Sequence, residues 1–478
     1  MAVQPQGCTP AAYRRRSPAD TPLYRAVQNH LETFLALCQD DWEDERIGSH
    51  AERELRAYLQ CGILAYGFAR ARCGQCGHDF LVAFSCKGRA VCPSCNSRRM
   101  AGTAAHLVDH VLPPLPVRQW VLSLPKRLRY HLQHNRKALN VALRIFLDEI
   151  ERHLRAHCPS AGPNARAGAV AFIHRFGSSL NLHTHFHVCV IDGVFEPDPQ
   201  SGVRFYAVDE MDTHDAEAVQ GQVRRRLLRA YQRSGILDKD DRKEMEHWDH
   251  GGGFSLDATV RIEADDRRGL ERLLRYCARP PFAAERLEEL DAQRLIYHLP
   301  KPGPDGRTQL ILSPLELIER IAALVPPPRQ HRHRYYGVLA PNAPLRAAVT
   351  ALAPEAVAAQ PLPVQTSAEA PDGAPHRSPA RYLWAMLLAR IYEAFPLTCP
   401  QCGTQMRIVA FITETSTVQR TLDHFGEPAT PPRIAPARGP PSWEEGQSET
   451  IFLDEERFSG DPLVQPAPEY EFDQRLSW

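Results

Sequence analysis

No stretch of this 478-residue chain approaches the roughly 20 consecutive apolar residues a membrane-spanning helix needs, so no membrane partner is expected. The opening MAVQPQGCTPAAYRRR lacks an apolar core, so no secretory leader is expected either, and cytoplasmic chemistry is. There is no repeat of fixed period, which argues against a solenoid. There is also no net charge: 57 Lys and Arg face 57 Asp and Glu, which at first sight argues against a polyanionic partner. What is present describes a folded protein of two to four domains, 43% hydrophobic and 24% charged. Thirteen cysteines, several in Cys-x-x-Cys pairs, fit metal binding in a reducing compartment better than disulfides.

The zero charge is a cancellation. Residues 68–136 hold eleven Lys and Arg against Asp79 and Asp109, a net of +9. Residues 440–478 hold ten acids against Arg457 and Arg475, a net of −8. Residues 326–346 add four Arg, two His and two Tyr with no acid. A single-sign patch of this size points to a polyanion partner for the basic body.

Periodicity orders the chain. Residues 23–66 read as helical, with Val27, Leu31, Phe34, Leu35 and Cys38 at three-to-four spacing. A compact Cys/Gly-rich module covers 68–100, and helices are expected at 101–112 and 136–157. Residues 169–176 and 180–190 alternate like two strands joined through Gly177-Ser178-Ser179, an antiparallel hairpin. A basic helix around Arg224–Arg226, a third strand at 254–262 and a helix at 265–277 follow. The expected divisions are a flexible start (1–24), a helical and zinc-binding domain (25–112), a second domain (113–346), a Pro/Ala linker (347–380), a small CxxC module (381–425) and an acidic, mostly disordered tail (426–478).

Cys73-x-x-Cys76 and Cys92-x-x-Cys95, fifteen residues apart, have the spacing of one four-thiolate zinc site. Four thiolates leave no open position, so the ion is expected to be structural. Cys86, between the pairs, could replace one of the ligands but reads rather as a small buried residue. Cys399-x-x-Cys402 is half of a possible second site, with no later cysteine to complete it. The basic residues around the first module, Lys87, Arg89, Arg98 and Arg99, suggest DNA contact.

In NLHTHFHVCVIDGVF, the period of two puts His183, His185 and His187 on one strand face. Residues two apart are about 6.6 Å apart and residues four apart about 13 Å, so one ion can bridge adjacent histidines but not all three. His185 and His187 are the preferred metal pair, with Phe186 anchoring the strand; His183 either supports them or is a ligand in the alternative adjacent pair, and a third ligand comes from elsewhere. Two imidazoles leave open positions for phosphate oxygens, and their softness suits Mn²⁺ or Zn²⁺, although Mg²⁺ is the more abundant ion. The helix GLERLLRYCARPPFAAERL carries Tyr276 among Arg268, Arg272, Arg275 and Arg279. A phenol attacks phosphorus poorly unless cations stabilise the phenolate and the phosphate.

The runs CGQCGHDFLVAFSCKGRAVCPSCNSRRM, LSLPKRLRY, NLHTHFHVCVIDGVF, LERLLRYCARPPFA and RYYGVLAPNAPLR, in that order, resemble the HUH-type single-strand endonucleases. Within them the chain is most similar to the rolling-circle transposases of the insertion-sequence ninety-one and common-region type, over about residues 25–345. The resemblance implies an α+β fold: an antiparallel-sheet HUH nuclease domain with flanking helices, preceded by a small zinc-binding domain. It implies His185 and His187 as ligands of a catalytic Mg²⁺ or Mn²⁺, a structural Zn²⁺, and Tyr276 as the nucleophile that leaves a 5′-phosphotyrosine and a free 3′-hydroxyl. The implied partners are single-stranded DNA and element-end DNA in the bacterial nucleoid. Lys126, Arg127, Arg129, Arg275, Arg279 and Arg334 are the further expected DNA contacts, with Tyr335 stacking on bases. Relatives with two tyrosines place them four residues apart; here that position is Pro280, so a single nucleophile is expected. A non-catalytic zinc DNA-binding protein, a decayed transposase and a water-using metal hydrolase are the alternatives.

Overall fold

The computed structural model describes residues 15–40, 47–208, 211–248, 250–303, 305–353 and 397–438. Most of the expected linker and the acidic end of the tail lie outside the described residues. Of the expected flexible start, residues 1–14 lie outside the described residues, and Arg15 forms a two-pronged ion pair with Glu427.

The expected helical run 23–66 is two helices, α1 (Pro22–Asp40) and α2 (Ser49–Gln60). Val27, Leu31, Phe34 and Leu35 are buried as their spacing requires. Strands β1 (Phe68–Cys73) and β2 (Asp79–Ala83) form a hairpin, and helix α3 (Pro93–His110) follows. It starts eight residues earlier than its apolar pattern suggests, because Cys92 is the N-cap and Pro93 opens the first turn.

The second unit runs β3 (Val117–Ser123), α4 (Lys126–His134), α5 (Arg136–Ala156), β4 (Gly168–Phe176), β5 (Leu182–Ile191), then the β6 (Gly193–Asp198) and β7 (Gly202–Ala207) hairpin. Helices α6 (Thr213–Arg233) and α7 (Lys239–His247) lead to β8 (Ser255–Asp257), β9 (Arg261–Ile262) and α8 (Arg267–Cys277). A small sheet, β10 (Leu287–Glu289), β11 (Leu295–His298) and β12 (Gln309–Leu312), precedes α9 (Pro314–Ala323), β13 (His333–Gly337) and α10 (Arg346–Ala351). The main sheet has the order β13-β4-β5-β3-β8, with β9 also on β3, and every pairing is antiparallel. The architecture is α+β, as expected.

The single strand expected at 254–262 is broken in two. Asp257 Oδ1 accepts from the backbone N–H and the hydroxyl of Thr259, an Asx turn that lifts the chain off β3 before β9 rejoins it.

The sheet separates two cores. On one face Trp120, Phe186 and Val188 pack with Phe146 of α5 and Leu227 and Tyr231 of α6. On the other, Val170, Phe172 and Cys189 pack with Leu107 of α3 and Leu273 and Leu274 of α8. Burying each such side chain contributes about 1.5–3 kcal/mol. The β4–β5 hairpin tip, with Phe176 and Leu180 buried, inserts among Cys92, Cys95, Phe282 and Leu317, fastening the histidine strand to the cysteine-rich unit.

The CxxC segment near residue 400 is not a separate module. Strand β14 (Met406–Ile412) pairs antiparallel with β1, Phe68 opposite Ile412 and Cys73 opposite Met406. Helix α11 (Thr415–Phe425) places Val418 and Leu422 against Leu64 and Phe68. Residues 433–438 then run along α1, where Gln28 Nε2 donates to the Arg433 carbonyl and the Arg438 N–H donates to Thr33 Oγ1. This part of the expected disordered tail is therefore packed, and the 25–112 domain is completed by chain from the far end of the sequence.

Candidate active site and cysteine clusters

The four cysteines grouped by spacing do not meet. They divide between two clusters, Cys61, Cys86, Cys92 and Cys95, and Cys73, Cys76, Cys399 and Cys402. The reason is the β1–β2 hairpin. At about 3.3 Å per residue its strands are roughly 17 Å long. Cys73 and Cys76 form a knuckle at one end, where the Cys73 N–H donates to the His78 carbonyl, while Cys86 lies past the other end beside Cys61. Sulfur separations are 3.5–3.7 Å in the first cluster and 3.4–3.5 Å in the second. A tetrahedral ion with bonds of about 2.3 Å requires roughly 3.8 Å, so both clusters fit one zinc each. Glu54 supports the first by accepting from the Arg89, Ala90 and Val91 N–H groups, and Asn96 Nδ2 donates to the Ala90 and Cys92 carbonyls. Cys86 is thus a member of the cluster rather than a spacer. Cys61, in a helical stretch without a CxxC partner, carries no local signal.

His185 and His187 meet a third imidazole, that of His174 on β4, with ligand atoms of the three within 4.8 Å of one another. Cross-strand register causes this: His174 lies opposite His185, and Phe172 opposite His187. His183 is outside the cluster, its Nε2 3.1 Å from Ser123 Oγ.

Each ring of the cluster is held through one nitrogen. His185 Nδ1–H donates to the His183 carbonyl at 3.0 Å, leaving Nε2 bare. His174 Nε2–H donates at 2.6 Å to the carbonyl of Cys277, one of the orphan acceptors at the end of α8, leaving Nδ1 bare. The Gln119 amide lies 2.9 Å from His187 Nδ1. Turned over, it puts its otherwise unpaired Oε1 on Nδ1–H and frees His187 Nε2. His174 Nδ1 and His187 Nε2 are both buried without a hydrogen-bond partner. Buried polar atoms are normally satisfied, so two orphans beside a third free nitrogen fit a divalent cation. Burial holds His185 at about 4, and His174 and His187 well below their ordinary value, so all three rings are neutral at pH 7.

Helix α8 carries Tyr276 to this cluster. Asp266 caps it by accepting from the Gly269 N–H, and Leu270, Leu273, Leu274 and Cys277 bury one face. Tyr276 then stands edge-on to His187, ring centroids 5.5 Å apart. The Arg279 guanidinium lies 4.6 Å from the centre of the Tyr276 ring. Two other arginines of this helix turn aside, Arg275 to Glu271 at 2.7 Å and Arg272 toward Asp266.

The remaining expected DNA contacts are scattered in role. Lys87 and Lys126 are exposed. Arg98 donates to Ser85 Oγ, Arg99 to the Lys87 carbonyl, Arg129 to the Leu124 carbonyl and Arg334 to Asn140 Oδ1, and Arg127 pairs with Asp241. Tyr335 is half-buried on the α3–α8 core with Arg346 over its ring, which leaves little of its face for a base. A cavity of about 330 Å³ opens beside His174 and Cys277, lined by Arg89, Arg99, Arg175 and Arg332 among others and by no acid.

Two family models match the chain. The one described as "Putative transposase" covers residues 168–346, and "Transposase zinc-binding domain" covers residues 27–124. Among curated proteins, the "Transposase for insertion sequence element IS801" of Pseudomonas savastanoi pv. phaseolicola is 23% identical over 297 residues, 59% of this chain and 68% of that one. The "Putative transposase y4qJ" of Sinorhizobium fredii is 29% identical over 153 residues, 31% of this chain and 37% of that one. No solved structure matches significantly. The matches define a transposase with an N-terminal zinc-binding domain. Over residues 27–124 and 168–346 the chain is similar to transposases of the insertion-sequence ninety-one type. Among the described residues no helix is long and apolar enough to cross a membrane.

Proposed function

We propose that the chain cleaves and rejoins single-stranded DNA at element ends through a 5′-phosphotyrosine on Tyr276. The observation that carries this reading is the contact of the Tyr276 ring with His187, inside a buried cluster of three neutral imidazoles. His174, His185 and His187 would hold a Mg²⁺ or Mn²⁺ ion. When bound, such an ion withdraws charge from a phosphodiester oxygen. The Tyr276 phenol oxygen attacks phosphorus and its proton passes to solvent. The bond from phosphorus to the 3′ oxygen breaks, and that oxygen leaves as a free hydroxyl. In rejoining, a 3′-hydroxyl attacks the phosphotyrosine and releases Tyr276. Arg279, fixed over the Tyr276 ring, places positive charge beside the developing phenolate. The basic cavity next to the end of α8 offers the entering strand a path free of acidic groups. The two cysteine clusters hold structural zinc.

The test uses the full chain and a labelled single-stranded end oligonucleotide with Mn²⁺ or Mg²⁺, run on a denaturing gel. A covalent protein–DNA band is expected, and Tyr276→Phe is expected to abolish it. An undiminished band in Tyr276→Phe removes Tyr276 from the chemistry. Cleavage without any band transfers the reaction to water, and binding without cleavage leaves a zinc DNA-binding protein.

A further inference from the structure

We infer that His153, His157 and Asp215 form a fourth metal site, of zinc type, on the face of the sheet opposite the three-histidine cluster. The site belongs to α5 and α6, which pack on Trp120, Phe186 and Val188. The inference is independent of the proposed reaction.

His153 and His157 stand four residues apart at the end of α5, so their rings share one face, with centroids 4.2 Å apart. Asp215 comes from the first turn of α6. Its Oδ2 is occupied by the Asp212 N–H at 2.7 Å, closing a capping box. Its Oδ1 is left 3.2 Å from both His153 Nε2 and His157 Nε2.

That arrangement gathers lone pairs. His157 Nδ1–H donates to the His153 carbonyl at 3.0 Å, so in the neutral ring Nε2 is bare and faces a carboxylate oxygen. Two acceptors 3.2 Å apart repel unless a cation lies between them. His153 Nε2 is buried against the same Asp215 oxygen and makes no hydrogen bond elsewhere. A tetrahedral zinc with bonds of about 2.0–2.1 Å needs ligand separations of roughly 3.3 Å, close to the two observed. Two imidazoles and one carboxylate match zinc in softness, and the more exposed His157 side leaves room for water as the fourth ligand. The ion would clamp the end of α5 to the start of α6.

Zinc per chain decides the matter, measured by elemental analysis of the full chain after zinc loading and desalting, with thiol-held zinc counted separately by release with an organomercurial. His157→Gln, at the more exposed end of the cluster, is expected to lose one equivalent while thiol-held zinc stays unchanged. Asp215→Asn is expected to lose the same equivalent, and His157→Cys, which restores a ligand, to regain it. An unchanged total in both His157→Gln and Asp215→Asn overturns the site. So does a loss confined to thiol-held zinc.

Discussion

At the scale of single residues, the site turns on His174, whose ring fills the place an unidentified third ligand had to take. It has two duties. Nδ1 faces the cluster, and Nε2–H ties the last turn of the tyrosine helix to the sheet. His174→Gln is therefore expected to cut adduct formation on the order of 100-fold, the cost typical of disturbing a metal ligand or its support. His183→Gln, outside the cluster, is expected to stay within about tenfold, and parallel adduct time courses compare them. Equal losses would return His183 to the ligand set. His183 also makes a pH prediction. Burial holds it at about 2, against about 6.5 unfolded, so the unfolded chain binds a proton that the folded chain refuses. The stability this contributes is present above about pH 6.5 and is lost as pH falls toward 2. His183→Gln should make the fall between pH 6 and 4 shallower by up to about 1.4 kcal/mol per pH unit in denaturant titrations; an unchanged slope would show the ring to be solvated. The pair His185 and His187 was legible because strand period alone puts them on one face. His174 was not, because its place opposite His185 depends on a register set by the Gly177–Asn181 turn, where Leu180 adopts a positive φ.

At the scale of elements, the tyrosine helix α8 is held by the helix that leaves a cysteine cluster. Helix α3 begins at Cys92 and Cys95 and runs beside α8. Arg267, at the start of α8, donates to the Val108, Leu112 and Pro113 carbonyls at the end of α3. Arg332 donates to Ala278 and Arg279 at the other end of α8, and to Arg89 and Asn96 beside the cluster. Burial lowers Arg332 to about 10, and with four acceptors around it the guanidinium stays charged at pH 7. Arg267→Met removes the donor to the Val108, Leu112 and Pro113 carbonyls and should cost about 1–3 kcal/mol of stability, read as a shift of the denaturation midpoint. Adduct formation should fall with it even at temperatures where the chain stays folded, since Tyr276 is then less firmly placed. Lost stability with an unchanged adduct rate would mean that α8 is positioned by its apolar face alone. Amphipathic helices such as α5 were readable because their core contacts recur within one turn. The pairing of β1 with β14 was not, since it joins residues more than 320 apart and leaves no local pattern.

At the scale of the whole molecule, the zinc-binding domain is assembled from both ends of the described chain. Cys73 and Cys76 meet Cys399 and Cys402, β14 extends the sheet of β1, and the Arg15–Glu427 pair and the Gln28–Arg433 contact reinforce the junction. The basic stretch that unmasked the neutral average spans this composite and the first elements of the second unit. Its charges do not form one free face, because Arg70 is paired with Asp79, and Arg118 is buried against Asp192. A three-stranded sheet this small buries little apolar surface, and structural zinc binding in small domains supplies about 10–16 kcal/mol of folding free energy. Removing the second cluster should therefore detach the distal segment without dismantling the first. Cys399→Ser/Cys402→Ser is expected to lose one zinc equivalent and to make residues 397–438 sensitive to limited proteolysis. Adduct formation should persist within several-fold, because α3, α8 and the histidines are braced by the other cluster. Cys92→Ser should behave oppositely. It removes a ligand at the start of α3, and both zinc and adduct are expected to be lost. If the double variant keeps its zinc and its protease resistance, the sheet alone holds the two ends together. If it loses the adduct as fully as Cys92→Ser, the two clusters act as one support for the tyrosine helix.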